Sequence, residues 1–544
     1  MGRFNGRGDG WPAHCLGQSN MSANNCTDNL EKNTRTNSVL TLVSRCMGLV
    51  RDGAISRLFG AGAFSSAFYF AFLVPNLFRR LFGEGALAAA FLPIYTSLQQ
   101  ESPERAKAFA TLTIAKLVVL LGVLTLLGEL ALWGIVASQE NPSDSLQLTM
   151  VMLPYMPLVC LVAIFGAMLH VHDRFGPTAS APIILNGCMI AAAYGFVGVF
   201  ANPMQHMTMI GISVVIAGVA QVSWSLFALR KFGWFTKHSE SAQGDCKKLV
   251  RDTLPMVVGL GTLQINTLLD GVVANWSNIF GPTIFGYMYP LGESSMASVS
   301  WAQRLYQFPL GVFGVALATA IYPLLAKQAK KHDMFSSTMR RGLRTAVFIG
   351  LPASAGLLLV RDQLATVVFQ GASFTQADAI AVGTILLGYA PAIWAYSMVQ
   401  VLTKGYYAKG NKITPVRVAV WCVGLNLVLN CILVWTPLRA SGLAWSTAIC
   451  AVVQVSFLLV LFRQYVPVLV DSEVLCSWVR TAVLTICMGA LVSYLVYVLD
   501  NANGDWLNAL YVLLSAVIAG VLVIAGGSTL FKMPELVWAI GRRA

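Results

Sequence analysis

The sequence predicts an all-α polytopic membrane protein with fourteen transmembrane helices, two six-helix lobes around a central cavity and two further C-terminal helices. Three observations predict it. Of 544 residues, 56% are hydrophobic and only 11% charged, whereas a soluble chain carries about 25% charged residues. Apolar stretches long enough to cross a hydrocarbon layer of about 30 Å recur along the whole chain. Two pairs of segments also repeat, each at an offset of about 220–240 residues.

Residues 1–36 are polar and rich in Asn, Gly and Ser. They lack the apolar core of a signal peptide, so a disordered cytoplasmic tail is expected there. Helices of an N-terminal lobe, 37–231, are expected over 37–59, 64–98, 104–136, 146–171, 179–200 and 208–230. A C-terminal lobe, 248–464, follows with helices over 248–276, 294–327, 336–359, 377–404, 414–435 and 440–463. Two additional helices, 473–498 and 507–531, complete the chain within 473–531. Several spans exceed the bilayer thickness and must tilt or project.

Orientation follows from loop charge. Arg105 and Lys107, Arg174, the stretch Lys231 to Arg251, Lys327 to Arg344 and Lys404 to Arg417 make alternate loops basic. The intervening loops 138–145, 201–207 and 277–295 contain no Lys or Arg. The basic set belongs in the cytoplasm, which puts both termini there. The net charge of +13, from 37 basic and 24 acidic residues, is explained by this bias and needs no nucleic-acid partner.

The repeat pairs RRLFGEGALAAAFLPIYTSL in the second span with QRLYQFPLGVFGVALATAIYPLLA in the eighth. It also pairs DRFGPTASAPIILN in the fifth with KGNKITPVRVAVWCVGLN in the eleventh. Equivalent spans are separated by an even number of helices, so the repeats are parallel. That arrangement places a substrate site between lobes that can rock.

Charge inside the membrane carries the function. Each arginine at a bilayer centre costs about 3 kcal/mol on insertion scales. Arg45, Arg51 and Arg57 lie on the first span, and Arg79 and Arg80 on the second. Residues seven apart nearly share a helix face, so Ser44, Arg45, Arg51 and Asp52 occupy one side of the first helix. Arg80 and Glu84 are four apart and within reach of each other. Against Asp52 and Glu84, the five arginines leave three positive charges without a local counter-charge. Arg304 lies inside the eighth span, and the repeat equates it with Arg80. Guanidinium suits phosphate because its planar fork donates two parallel hydrogen bonds. The plain alternative is snorkelling toward headgroups, which fits Arg57 best because GAG follows it so closely.

A second constellation lies in the C-terminal lobe, where Asp270 is a carboxylate deep in the seventh span. Asn426 and Asn430 are four apart on the eleventh, and Ser446 opens the twelfth. Such oxygens can hold Na⁺ or pass a proton, or simply bond neighbouring helices together. His170 and His172 sit at a helix end without further ligands, and the eleven cysteines show no metal spacing. Neither a glycine-rich phosphate loop nor HExxH or GxSxG is present.

SRxxGxxRDxxxxRxFGAG (44–62) and AFxxAFxxPNLFRRLFGEGALAAAFLP (67–93) together resemble the MurJ/MviN family of lipid II flippases. QRLYQFPLGVFGVALATAIYPLLA (303–326), FQGASFT (369–375) and YYAKGNKITPV (406–416) look like the same family. The resemblance implies the multidrug/oligosaccharidyl-lipid/polysaccharide exporter fold, with a cationic central cavity in the bacterial inner membrane. It implies outward movement of undecaprenyl-pyrophosphate-linked peptidoglycan precursor by alternating access, for cell-wall synthesis. Its partners would be lipid II and cell-wall synthesis proteins. No cofactor is implied beyond Na⁺ or H⁺ as coupling ion. Carried over by motif, the substrate-binding residues are Arg45, Arg51, Arg79, Arg80 and Arg304, with Ser44, Asp52 and Glu84 in support. The sodium site of some members is similar to Asp270, Asn426, Asn430 and Ser446, with Asn430 where a carboxylate is expected. Ser66 and Leu73 stand where relatives often carry Asp and Lys.

Four rival readings bear on the same residues. A flippase of another lipid-linked oligosaccharide shares the cationic cavity. A drug/cation antiporter needs an acidic one, and an enzyme acting on lipid phosphates needs a base or metal that the first two spans do not offer. A non-transporting membrane scaffold has no use for buried arginines.

Overall fold

The computed structural model describes residue 40 and residues 42–83, 86–236, 242–500 and 505–539. The expected tail 1–36, Glu84 and the C-terminal GRRA lie outside the described residues. Among the described residues the regular structure is helical apart from one small hairpin. The first group of helices is α1 (42–59), α2 (Ala63–Phe78), α3 (Ala86–Glu101), α4 (Pro103–Ala137), α5 (Asp144–Met152), α6 (Tyr155–Val171), α7 (Gly176–Gly195) and α8 (Pro203–Leu229). The second is α9 (Gln243–Ala274), α10 (Trp276–Phe280), α11 (Ser295–Pro309), α12 (Val315–Gln328), α13 (His332–Leu359), α14 (Arg361–Phe369), α15 (Gln376–Tyr389), α16 (Ala392–Ala408), α17 (Ile413–Leu433) and α18 (Ala440–Phe462). Helices α19 (Ser472–Leu499) and α20 (Trp506–Leu530) pack against α13 and α14, and α21 (Pro534–Ala539) closes the described chain.

Helices occupy all fourteen expected positions. Among the described residues, eleven helical runs are long and apolar enough to cross a membrane, or twelve when the bent pair α15–α16 is one span. Helices α1 and α9, at the expected spans 37–59 and 248–276, stand outside those twelve.

Local chemistry explains the ends and breaks. Pro103 and Pro203 open α4 and α8 at positions where no amide donor is needed. Thr375 and Asp378 form a reciprocal capping box on α15. Pro154 and Pro391 sit at the α5–α6 and α15–α16 breaks, where a proline cannot continue the amide ladder.

The repeat is visible as shared damage to the helices. A π-helical turn follows α2 at Arg79–Gly83 and another follows α11 at Leu310–Gly314. The helices start 232 residues apart, at 63 and 295, and the π-turns 231 apart, at 79 and 310. This register equates Arg304 with position 72 or 73, not with Arg80. The Arg-Leu-aromatic match was a local coincidence two turns out of register. Two helical turns is seven residues, so the two arginines still share a face.

Successive spans alternate in direction, which gathers the basic loops at one end of the bundle. At the opposite end the two groups of helices are tied by short polar contacts. Ser56 Oγ donates to the Phe369 carbonyl at 2.9 Å, Arg57 Nε to the Gln370 carbonyl at 3.1 Å, and Ser373 N to the Arg57 carbonyl at 3.1 Å. Ser66 Oγ accepts from Ala297 N at 3.1 Å, and Asn275 Nδ2 donates to Ser145 Oγ at 2.9 Å. Trp301 packs between Phe369 and Phe374, with ring centroids 5.5 and 5.3 Å away. Ser66 is therefore a buried acceptor in this seam, and Leu73 packs on Gly271 of α9.

Glycine permits the close approach. A Cβ on Gly53 would stand 2.8 Å from the Val368 carbonyl oxygen, which is backbone and cannot swing aside. Gly53→Val is expected to weaken the seam by about 1–3 kcal/mol through overpacking. Thermal unfolding in detergent checks this, and an unshifted melting temperature would show that the seam is not closed at Gly53.

Candidate functional site

Helix α1 brings Ser44, Arg45 and Arg51 to one side, the end of α2 and its π-turn bring Arg79 and Arg80, and α11 brings Arg304. All six line a single chamber of about 510 Å³ toward the basic end. Asn76, Asn186, Gln307, Phe72 and Phe308 complete much of its wall. No carboxylate lines it among the described residues. The fold therefore unites the five predicted arginines, from both groups of helices, in one space.

Asp52 lies beneath the chamber and is 1% exposed. Its Oδ1 accepts from Arg51 Nε and Nη2, at 3.0 and 2.6 Å, and from the Tyr69 hydroxyl at 3.0 Å. Its Oδ2 accepts from Arg304 Nε at 2.9 Å. One carboxylate thus bridges the two halves of the protein. Arg304 takes its counter-charge from α1, across the sequence, which a count of local neighbours does not see.

Arg51 is fixed on every side. Its Nη1 donates to Asn186 Oδ1 at 3.1 Å, and its guanidinium lies over the Phe72 ring at 5.3 Å. Trp301 Nε1 donates to the Tyr69 hydroxyl at 2.6 Å, which holds Tyr69 against Asp52. Arg79 Nε donates to Asn76 Oδ1 at 2.9 Å. Arg45 lies on Gly311 of the second π-turn, where a Cβ would come within 2.1 Å of Nη1. Gly311 thus makes room for a cation, while Gly314 lets its turn approach Ser397. Glu84 is outside the described residues. Arg57 is away from the chamber, in the opposite seam.

Asn186, Tyr69, Trp301 and Asn76 are functional partners that the sequence reading passed over. None of the four carried a signal in the sequence.

The second constellation also assembles. Asp270 Oδ1 accepts from Asn430 Nδ2 at 2.5 Å, and Oδ2 from Asn266 Nδ2 at 3.2 Å. Asn430 Nδ2 also donates to Asn426 Oδ1 at 3.0 Å, Asn426 Nδ2 to Ser446 Oγ at 3.2 Å, and Ser446 Oγ to Asn430 Oδ1. As bonded, Asp270 faces amide N–H groups, which suits a carboxylate and repels a cation. Rotating the Asn426 and Asn430 amides by half a turn would aim oxygens inward and offer a hard-oxygen set. A smaller space of about 80 Å³, lined by Asp270, Arg80, Gln303 and Arg304, adjoins the main chamber. His170 and His172 stack on Phe175 and Phe232 at 4.8 and 4.1 Å, an aromatic role. Among the described residues no three His, Cys, Asp or Glu are grouped to hold a metal.

Comparison with known proteins gives one answer. The lipid II flippase MurJ family matches residues 55–516. The probable lipid II flippase MurJ of Vibrio cholerae serotype O1 is 32% identical over 445 residues, covering 77% of this chain and 80% of the relative. A solved lipid II flippase MurJ in an inward closed conformation superposes with a TM-score of 0.75 at 21% identity, covering 92% of this chain and 99% of that one. An inward-facing multidrug resistance MATE transporter of the MOP superfamily superposes at 0.61 with 14% identity, covering 79% and 98%.

Asp52→Asn keeps the shape of the side chain and removes its charge. Removing the charge shared by the buried Arg51 and the part-exposed Arg304 is expected to cost about 3–5 kcal/mol, most of it at Arg51. A fall in melting temperature, relieved by adding Arg304→Gln, checks that the two lobes share this carboxylate.

Proposed function

The chain belongs to the lipid II flippase MurJ family, and from that premise we propose that it carries lipid-linked peptidoglycan precursor from the cytoplasmic to the periplasmic leaflet for cell-wall synthesis. It is an integral inner-membrane transporter of the multidrug/oligosaccharidyl-lipid/polysaccharide exporter fold and not an enzyme: no bond is made or broken. One observation carries the substrate reading, the convergence of Arg45, Arg51, Arg79, Arg80 and Arg304 on one chamber. A diphosphate presents several acceptor oxygens and about two negative charges, which is what a ring of guanidinium forks binds. The lipid tail would remain in the bilayer while the headgroup enters.

The reading takes the basic end as cytoplasmic, with both termini there. The seam at the opposite end then seals the periplasmic side, and the chamber takes its cargo from the cytoplasm. A bound dianion would add its countercharge to that of Asp52, which favours drawing the lobes together around it. A membrane potential that is negative inside assists export of an anion by about 2.3 kcal/mol per charge per 100 mV. For the coupling ion, Na⁺ or H⁺, the proposed residues are Asp270, Asn426, Asn430 and Ser446. Na⁺ requires the turned amides, whereas a proton requires only Asp270.

Arg51→Ala and Arg304→Ala are each expected to lower binding of purified lipid II about 10–100-fold, since a hydrogen bond to a charged group contributes about 1.5–3 kcal/mol. Outward movement of lipid II in cells should fall with it. Undiminished movement in a correctly inserted variant would remove the chamber from the mechanism. Asp270→Asn is expected to flatten any Na⁺ dependence of transport; an unchanged ion response would assign the cluster to packing alone.

A further inference from the structure

The connection between α9 and α11 carries an exposed surface that neither chamber nor seam uses. From Trp276 to Gly292 it contains no charged side chain. Thr283–Ile284 and Tyr287–Met288 pair as a two-residue antiparallel ladder, with Phe285 and Gly286 at the turn. Phe285 is 94% exposed, and Tyr287, Met288 and Phe280 are exposed with it.

The turn is not the one backbone energetics would choose for its sequence. Phe285 and Gly286 both adopt positive φ, +49° and +84°. Such a two-residue turn favours Asn-Gly, and a bulky side chain in the left-handed region costs about 1–2 kcal/mol. An aromatic ring is held at the tip against that strain, and strain of this kind points to a use for the side chain. The support beneath is firm. Tyr289 N donates to the Pro282 carbonyl at 2.8 Å, its hydroxyl to the Val273 carbonyl at 2.8 Å, and Asn278 Nδ2 to the Glu293 carbonyl at 2.9 Å.

What covers this tip is indicated by what it continues. The Tyr289 ring meets Trp435 edge-on at 6.0 Å. Trp435, just past the end of α17, continues a stripe of Ile432, Val428 and Trp421 on that helix, all exposed, with the helical members at spacings of four and seven that place them on one face. None of them lines the arginine chamber or the space beside Asp270. In a membrane-spanning helix such a stripe faces lipid, so the hairpin extends a lipid-facing surface past the helix end. Aromatic rings without neighbouring charge at that level match the interfacial belt of membrane proteins.

We propose that the 281–289 hairpin is an interfacial anchor that seats Phe285, Tyr287 and Met288 in the phospholipid headgroup layer at the membrane face away from the basic loops. The base of the hairpin is also bonded to the first group of helices, through Gln139 Nε2 to the Ile279 carbonyl at 3.3 Å and Ser143 Oγ to the Asn278 carbonyl at 2.5 Å. The anchor therefore stands beside the seam between the lobes. The inference needs a membrane-spanning chain and does not depend on which lipid is carried.

The test replaces Phe285 or Tyr287 with p-benzoylphenylalanine in the full chain, reconstituted in vesicles of phosphatidylethanolamine and phosphatidylglycerol. Both positions are exposed, so the label does not enter the core; Glu140, exposed on a loop at the same end, serves as control. Irradiation should yield phospholipid adducts from 285 and 287 and none from 140. Absence of lipid adducts at 285 and 287, or equal yield at 140, overturns the proposal. Adducts formed only with another protein, in native membranes, would reassign the surface to a protein partner.

Discussion

Five guanidinium groups around one chamber repel each other, and the rest of the structure depends on how that repulsion is contained. Two unit charges 4 Å apart interact by about 4 kcal/mol at the effective dielectric typical of protein surfaces, and by more where water is scarce. Among the described residues Asp52 contains that repulsion for Arg51 and Arg304. It is buried, it accepts from Arg51 and Arg304 together, and those residues come from opposite halves of the chain. The lobes are thus joined by a shared counter-ion and not by an apolar interface alone. An anion entering the chamber competes for the same task, and so occupancy and lobe position are thermodynamically linked.

This arrangement also explains what could be read from the sequence. The arginines were legible because charge in an apolar span is costly enough to demand a reason. Their convergence followed from helical spacing, since Ser44, Arg45 and Arg51 fall on one side of α1. The specific partners were not legible. Adjacent residues on a helix point apart, yet the long stem of Arg51 folds back to reach Asp52 with two donors. Nothing in the sequence marks Tyr69 and Trp301, and only the fold turns the Tyr69 hydroxyl onto Asp52 and the Trp301 N–H onto Tyr69.

The repeat was legible in outline and misread in detail. Short matches such as Arg-Leu-aromatic recur by chance in apolar helices, where few residue types are in use. Helix starts and π-turns record the backbone itself, and they set the register two turns away. That places Leu73 near the position equivalent to Arg304, so the chamber draws its cations from different depths of the two halves. Buried amides serve both halves: Asn186 bonds Arg51 in one, and Asn426 bonds Asn430 and Ser446 in the other.

The two ends of the molecule are held in different ways, and this bears on how readily the lobes part. The end away from the basic loops is sealed by hydroxyl, amide and guanidinium donors on backbone and hydroxyl oxygens, across glycines that permit contact. Each such bond contributes about 1 kcal/mol net, because water replaces it on opening. The five bonds described there amount to about 5 kcal/mol. Shifting a two-state equilibrium from 1:99 to 99:1 takes about 5.5 kcal/mol of differential binding. Two or three charge-assisted bonds to a diphosphate lie in that range. A seal made mostly of neutral hydrogen bonds is within reach of the cargo that must open it.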